Sequence, residues 1–90
     1  MTLRIHRTSS FKKDLKKIAR QNKKLDDLEL VILTLASRKR LAQEYNDHKL
    51  SNNWRGHREC HIKPDWLLIY SIKDDILYLV RTGSHSELFK

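Results

Sequence analysis

The chain has 90 residues, 39% hydrophobic and 33% charged, with two glycines and one proline, a composition that excludes both a disordered tail and a membrane protein. The length suits one domain spanning residues 1–90, with a compact core and no deep internal cofactor cavity. Nineteen Lys and Arg against 11 Asp and Glu give a formal charge of +8, and the single cysteine, Cys60, excludes an internal disulfide and a cysteine-based zinc site.

The start does not read as a signal peptide. No apolar run approaches the roughly 18 residues of a membrane span, so a cytoplasmic location with no membrane contact is expected. The charge is uneven: residues 1–45 carry 12 basic and 5 acidic side chains, residues 46–90 seven and six. Such a surplus points either to a polyanionic partner, whose phosphates release counterions when neutralised, or to a helix face kept soluble by lysine.

Leu3 to Arg7 alternates apolar and polar residues, the period of a short strand. Thr8, Ser9 and Ser10 are N-cap candidates for a helix in which Phe11, Leu15, Ile18 and Ala19 share one face, with Lys12, Lys13, Lys16, Lys17 and Arg20 on the wet side. Gln21 to Lys24 reads as a bend. A second helix follows, with Asp26, Asp27 and Glu29 near the positive end of its dipole. Its apolar stripe is Leu25, Leu28, Val31, Ile32 and Leu35, widened by Leu30 and Leu33, and it should fade near residues 37–40. Residues 41–53 lack a clear period and read as a polar loop.

From His57 onward the period changes to two. Lys63-Pro64 breaks the first strand, because proline has no N–H for a ladder. Asp65 to Ile72 is apolar on both faces and reads as a central strand, with Trp66 and Tyr70 on one face as core residues or, for an edge Trp, as a base-stacking platform. Asp74-Asp75 makes a tight turn into a strand over residues 76–81 that Gly83 ends, and residues 84–89 suit a last helical turn. The order β-α-α-β-β-β plus a short α predicts an α+β fold, with two N-terminal helices packed on one face of an antiparallel sheet.

Glycine-rich phosphate loops and a nucleophile elbow are absent, so nucleotide-dependent and serine-hydrolase chemistry are disfavoured. Four of the five histidines, His48, His57, His61 and His85, lie after residue 45. An imidazole titrates near neutral pH, so one can accept a proton while another donates it. RNA cleavage by its own 2′-hydroxyl needs that pair and a cation for the phosphorane, and it needs no cofactor. Arg81 lies one strand pitch from Gly83-Ser84-His85, and Asp65 can orient an imidazole or join the acid–base work. On a strand, His57, Glu59 and His61 would share a face and could instead hold a metal. Cys60 reads as a small buried hydrophobe, and Phe89 either packs back on the sheet or stacks on a base. From the residues alone, a small basic ribonuclease and an RNA-binding module both fit.

Asp47-His48-Lys49-Leu50, Trp54 through Tyr70 and Arg81 through Phe89 resemble the YafQ-type branch of the RelE/ParE toxin superfamily. Phe11 to Lys17 is similar to the first helix of many such toxins. The resemblance implies a RelE-like fold and the toxin of a bacterial type II toxin–antitoxin pair. Such a toxin is an endoribonuclease that cuts mRNA in the ribosomal A site and is neutralised by a cognate antitoxin. By resemblance, His48, His61 and Asp65 fall on the general-base side and His85 on the general-acid side. Arg81 would hold the scissile phosphate, Phe89 would position a base, Trp66 and Lys49 would join the substrate-binding set, and no metal or cofactor would take part. The free toxin is expected to be monomeric. A ParE-like gyrase poison and a ribosome-independent ribonuclease of the same fold are the rival readings, and the site, not the fold, must separate them.

Overall fold

The computed structural model describes residues 2–89. The chain runs β1 (Arg4–Arg7), α1 (Ser9–Arg20), α2 (Leu25–Ala36), β2 (His48–Lys49), β3 (Arg58–Lys63), β4 (Trp66–Lys73), β5 (Ile76–Gly83) and α3 (His85–Leu88). Single 3₁₀ turns at Gln43–Tyr45 and Asn52–Trp54 flank β2, so the segment expected to be a plain loop contains a two-residue strand. Two residues are too few to leave a period in the sequence.

The five strands form one sheet in the order β1-β5-β4-β3-β2. Strands β2 to β5 are antiparallel, as the sequence predicts, and β4 is central. β1 departs from that expectation, because it lies parallel to β5, with Ile5 opposite Leu77 and Arg7 opposite Leu79. Alternation identifies a strand but not its partner. Here the chain leaves β1 through two helices and the rest of the sheet before β5 returns beside it, a long connection that permits a parallel pair.

Local chemistry accounts for the element ends. Thr8 caps α1, its hydroxyl accepting from the Phe11 N–H and donating to the Val80 carbonyl, so one side chain ties the helix start to β5. Ser84 and Glu87 form a capping box on α3. Asp74 and Asp75 both have positive φ, 53° and 63°, as the two-residue β4–β5 hairpin requires to match strand twist.

Helices α1 and α2 cover one face of the sheet. Phe11, Ile18, Leu28, Val31 and Leu35 pack there against Cys60, Ile62, Trp66, Leu68, Tyr70, Leu77 and Leu79. Leu30 and Leu33 do not widen this contact, being 58% and 53% exposed on the outer side of α2. The opposite face carries a smaller cluster in which Leu67, Ile69 and Leu88 pack with Leu50, Trp54, Val80 and Phe89. That second face leaves room for a site.

Candidate active site

Strand pairing gathers most of the chemistry. Glu59 pairs with Ile69 and His61 with Leu67 across β3–β4, and Ile69 and Leu67 belong to the face away from α1 and α2. His48 pairs with Glu59 across β2–β3. On β5, Arg81 pairs with Ile69 and Gly83 with Leu67. One row therefore reads His48, Glu59, Ile69, Arg81, and the next reads His61, Leu67, Gly83, two residues before His85. At the usual strand spacing, His61 and Gly83 stand about 10 Å apart through their backbones.

At the β2–β3 end, the buried Glu59 places Oε1 3.4 Å from His61 Nε2 and 3.7 Å from His48 Nε2. The two imidazole centroids are 6.4 Å apart. His48 Nδ1 donates to the Asn46 carbonyl at 2.7 Å. A carbonyl can only accept, so Nδ1 carries a proton and Nε2 is the nitrogen free to exchange one. The loop that carries His48 is fastened by Asp47, whose Oδ1 accepts from Tyr70 OH at 2.6 Å and from Arg58 Nε at 3.1 Å. Asp47 was not among the expected site residues, and Glu59 was expected only as a metal ligand beside His57 and His61. An acid on an alternating strand reads as solvent-facing, and only the short β2 pairing reveals that Glu59 is covered.

At the other end, His85 opens α3 and is exposed, with its backbone N–H donating to Asp65 Oδ1 at 3.3 Å. Asp65 thus touches the main chain of His85 and not its ring. The His85 ring lies 5.0 Å from that of Phe89, which meets Trp54 edge-on at 6.2 Å. Of the two sequence alternatives for Phe89, the side chain packs back on the open face. Gly83 makes this corner possible, since a Cβ there would come within 3.1 Å of Glu87 Oε1 at a φ of +156°.

Arg81 sits at the edge of β5. β1 ends opposite Leu79, so β5 beyond that point has no strand neighbour on that side. Asp14 of α1 takes the vacant place. It accepts from Arg81 Nε at 2.7 Å, Arg81 Nη2 at 3.1 Å and the Thr82 N–H at 3.0 Å. These bonds to Asp14 raise the guanidinium further above its ordinary value, against the opposing effect of burial. Trp66 is buried, and its Nε1–H donates to Thr82 Oγ1 at 2.9 Å, while that hydroxyl donates to the Leu67 carbonyl at 2.7 Å. The indole thus meets the site through Thr82, beside Arg81.

The remaining residues fall outside this grouping. Lys49 is exposed on β2, opposite Arg58. His57 precedes β3 and bonds the Arg55 carbonyl, so it does not join Glu59 and His61 on a strand face. Burial pushes the Cys60 thiol up to about 12, helped by the charges of Asp47 and Glu59, which leaves it protonated and unreactive at neutral pH. No group of three His, Cys, Asp or Glu among the described residues is arranged to hold a metal ion.

Comparison with known proteins identifies the family and the fold. Residues 3–90 match the family described as the bacterial toxin of type II toxin–antitoxin system, YafQ. The mRNA interferase toxin YafQ of Escherichia coli BL21-DE3 is 37% identical over 86 residues, covering 94% of each chain. A copper-bound mutant toxin from Helicobacter pylori superposes with a TM-score of 0.93 at 46% identity, over 97% of this chain and 99% of that one. The toxin in the E. coli DinJ–YafQ toxin–antitoxin complex superposes with a TM-score of 0.92 at 33% identity, over the whole of both chains. With a family match across nearly every residue and relatives well above 30% identity end to end, the chain belongs to the YafQ family of bacterial type II toxins.

Proposed function

We propose that this chain is an mRNA interferase that cuts message in the ribosomal A site by metal-independent 2′-hydroxyl attack, and that a cognate antitoxin neutralises it. A base of the His48–His61 pair removes the 2′-hydroxyl proton, while Asp65, expected on that side, is bonded to the His85 N–H at the other end and holds the general-acid turn. The 2′-oxygen attacks phosphorus, the P–O5′ bond breaks, and His85 gives a proton to the departing 5′-oxygen. Arg81 offsets the charge on the phosphorane, Phe89 shapes the seat of the neighbouring base, and the buried Trp66 supports Arg81 from behind through Thr82. The products are a 2′,3′-cyclic phosphate and a 5′-hydroxyl.

The observation that carries this reading is the row His61, Leu67, Gly83. It sets an imidazole on one side of a gap about two strand spacings wide and the His85 turn on the other, enough for a ribose-phosphate unit. The names of the E. coli relatives support the substrate, and the complex with DinJ supports an antitoxin partner. The basic helix α1 supplies the charge for ribosomal RNA or for an acidic antitoxin segment, and either contact weakens with salt. Alone, the toxin is a monomer acting in the bacterial cytoplasm.

Primer extension on a ribosome-bound message, with naked message and a His85→Ala variant as controls, tests the proposal. Cuts in the A-site codon that need both the ribosome and His85 are expected, with His85→Ala about 10²–10⁴ slower. Equal cutting of naked RNA makes the chain a free ribonuclease. Growth arrest without any cutting moves the target to gyrase.

A further inference from the structure

We propose that Asp14, on α1, is a positioning residue for phosphate binding: it holds the Arg81 guanidinium side-on so that its opposite edge faces the scissile phosphate. The inference rests on the nuclease reading above and goes beyond it, because it assigns a role to a residue outside the histidine clusters.

A guanidinium has five N–H groups in a fixed plane. Asp14 engages Nε and one Nη2 hydrogen, leaving both Nη1 hydrogens and the second Nη2 hydrogen. Those three form a second fork, suited to two phosphate oxygens. A carboxylate bound to a single N–H would let the plane swing. Here two bonds to Arg81 define the plane, and a third from the Thr82 backbone pins the carboxylate to β5. Thr82 is in turn held by Trp66 and by the Leu67 carbonyl. The chain of contacts from the central strand to the arginine fork is therefore continuous.

The placement of Asp14 is itself unusual. It is the one acid in α1, among Lys12, Lys13, Lys16, Lys17 and Arg20. It stands three residues after Phe11 and four before Ile18, on the row that faces the protein, where its side chain is 13% exposed. A carboxylate so covered needs a partner, and the one it has is the arginine assigned to the phosphate.

The experiment measures single-turnover cleavage of ribosome-bound message by the full chain and by Asp14→Asn, Asp14→Glu, Arg81→Ala and Arg81→Ala/Asp14→Asn, with a thermal melt of each. Asp14→Asn keeps the shape and an acceptor for Thr82 but loses the charge. It is expected to lower kcat about 10- to 10²-fold with little change in KM, since a misplaced group costs about that much. In the Arg81→Ala background the same substitution is expected to cost nothing further, a non-additivity that a purely structural role would not produce. Asp14→Glu keeps the charge, so folding is retained, and shifts the fork by one methylene; a several-fold loss in kcat is expected. Parental kcat in Asp14→Asn or Asp14→Glu, or additive losses in the double variant, overturns the positioning role. No cutting by the parent chain overturns the nuclease reading, and the positioning role with it.

Discussion

The hydroxyl of Tyr70, on the central strand, lies 2.6 Å from Oδ1 of Asp47, the residue immediately before His48. Tyr70 is buried while Asp47 is partly exposed, so the bond sits at the margin of the core, and Asp47 shares the same oxygen with Arg58. Burial pushes the phenol well above its ordinary range, and the bond to the Asp47 carboxylate adds to the effect. The phenol therefore keeps its proton and donates it to Asp47, which anchors the loop bearing His48 to the sheet. Tyr70→Phe is expected to lower stability by about 1.5–3 kcal/mol, the range for a bond to a charged acceptor. It should also slow cleavage by letting His48 drift from Glu59. Urea unfolding and a cleavage assay on the same preparation check both effects.

The bond from Trp66 to Thr82 predicts a coupled pair. Trp66→Phe removes the donor and some core volume and is expected to cost about 2–4 kcal/mol. Thr82→Val removes the acceptor at nearly constant shape. Because both changes delete one contact, the double variant should be less destabilised than the sum of the singles by about 1 kcal/mol or more. Strict additivity in a urea-unfolding cycle would show that the indole contributes through packing alone.

Glu87 makes stability depend on acid. Its pairing with Lys17, aided by the Ser84 backbone N–H, lowers its carboxyl from 4.5 to about 2. The folded state thus favours the ionised form. The contribution is present in full above about 4.5 and is lost as pH falls from there toward about 2. The parent chain is expected to be more stable than Glu87→Gln at neutral pH, with the gap narrowing through that window. Unfolding curves collected from pH 7 down to pH 2 measure it, and a gap independent of pH would contradict the assignment.

Cys60 should resist thiol reagents in the native state. With its thiol raised to about 12 and no exposed surface, alkylation at pH 8 is expected to be slow and to accelerate sharply in denaturant. Fast labelling of the native chain would mean that β3 opens locally far more often than its place beside the central strand implies.

What the sequence made readable follows from the length of each signal. Helices α1 and α2 and strands β3 to β5 each repeat an apolar period several times, and their positions could be read from it. β2 spans two residues and carries no period, so its pairing with Glu59, and with it the burial of that acid, was hidden. The direction of β1 was hidden for another reason, since alternation is the same in parallel and antiparallel pairs. Within the site, the histidines, Asp65 and Arg81 were legible from their chemistry, and motif resemblance divided the roles among them and gave Trp66, Lys49 and Phe89 a substrate-binding part. Asp14 was passed over because a charged residue in a lysine-rich helix looks solvated. Its spacing to Phe11 and Ile18, on the inward row, was the signal that could have marked it.

The parallel pairing of β1 with β5 also bears on how the toxin is made. The first strand, Arg4–Arg7, has its sheet partner in Ile76–Leu79, near the end of the chain. Asp14 must likewise wait for Arg81, 67 positions later. A nascent chain holding only the helical half has a strand without a neighbour and an Asp14 without Arg81, and contacts between such distant residues form late. Residues 76–82 must therefore be synthesised before β1 finds its neighbour and the Arg81 guanidinium can be set against Asp14.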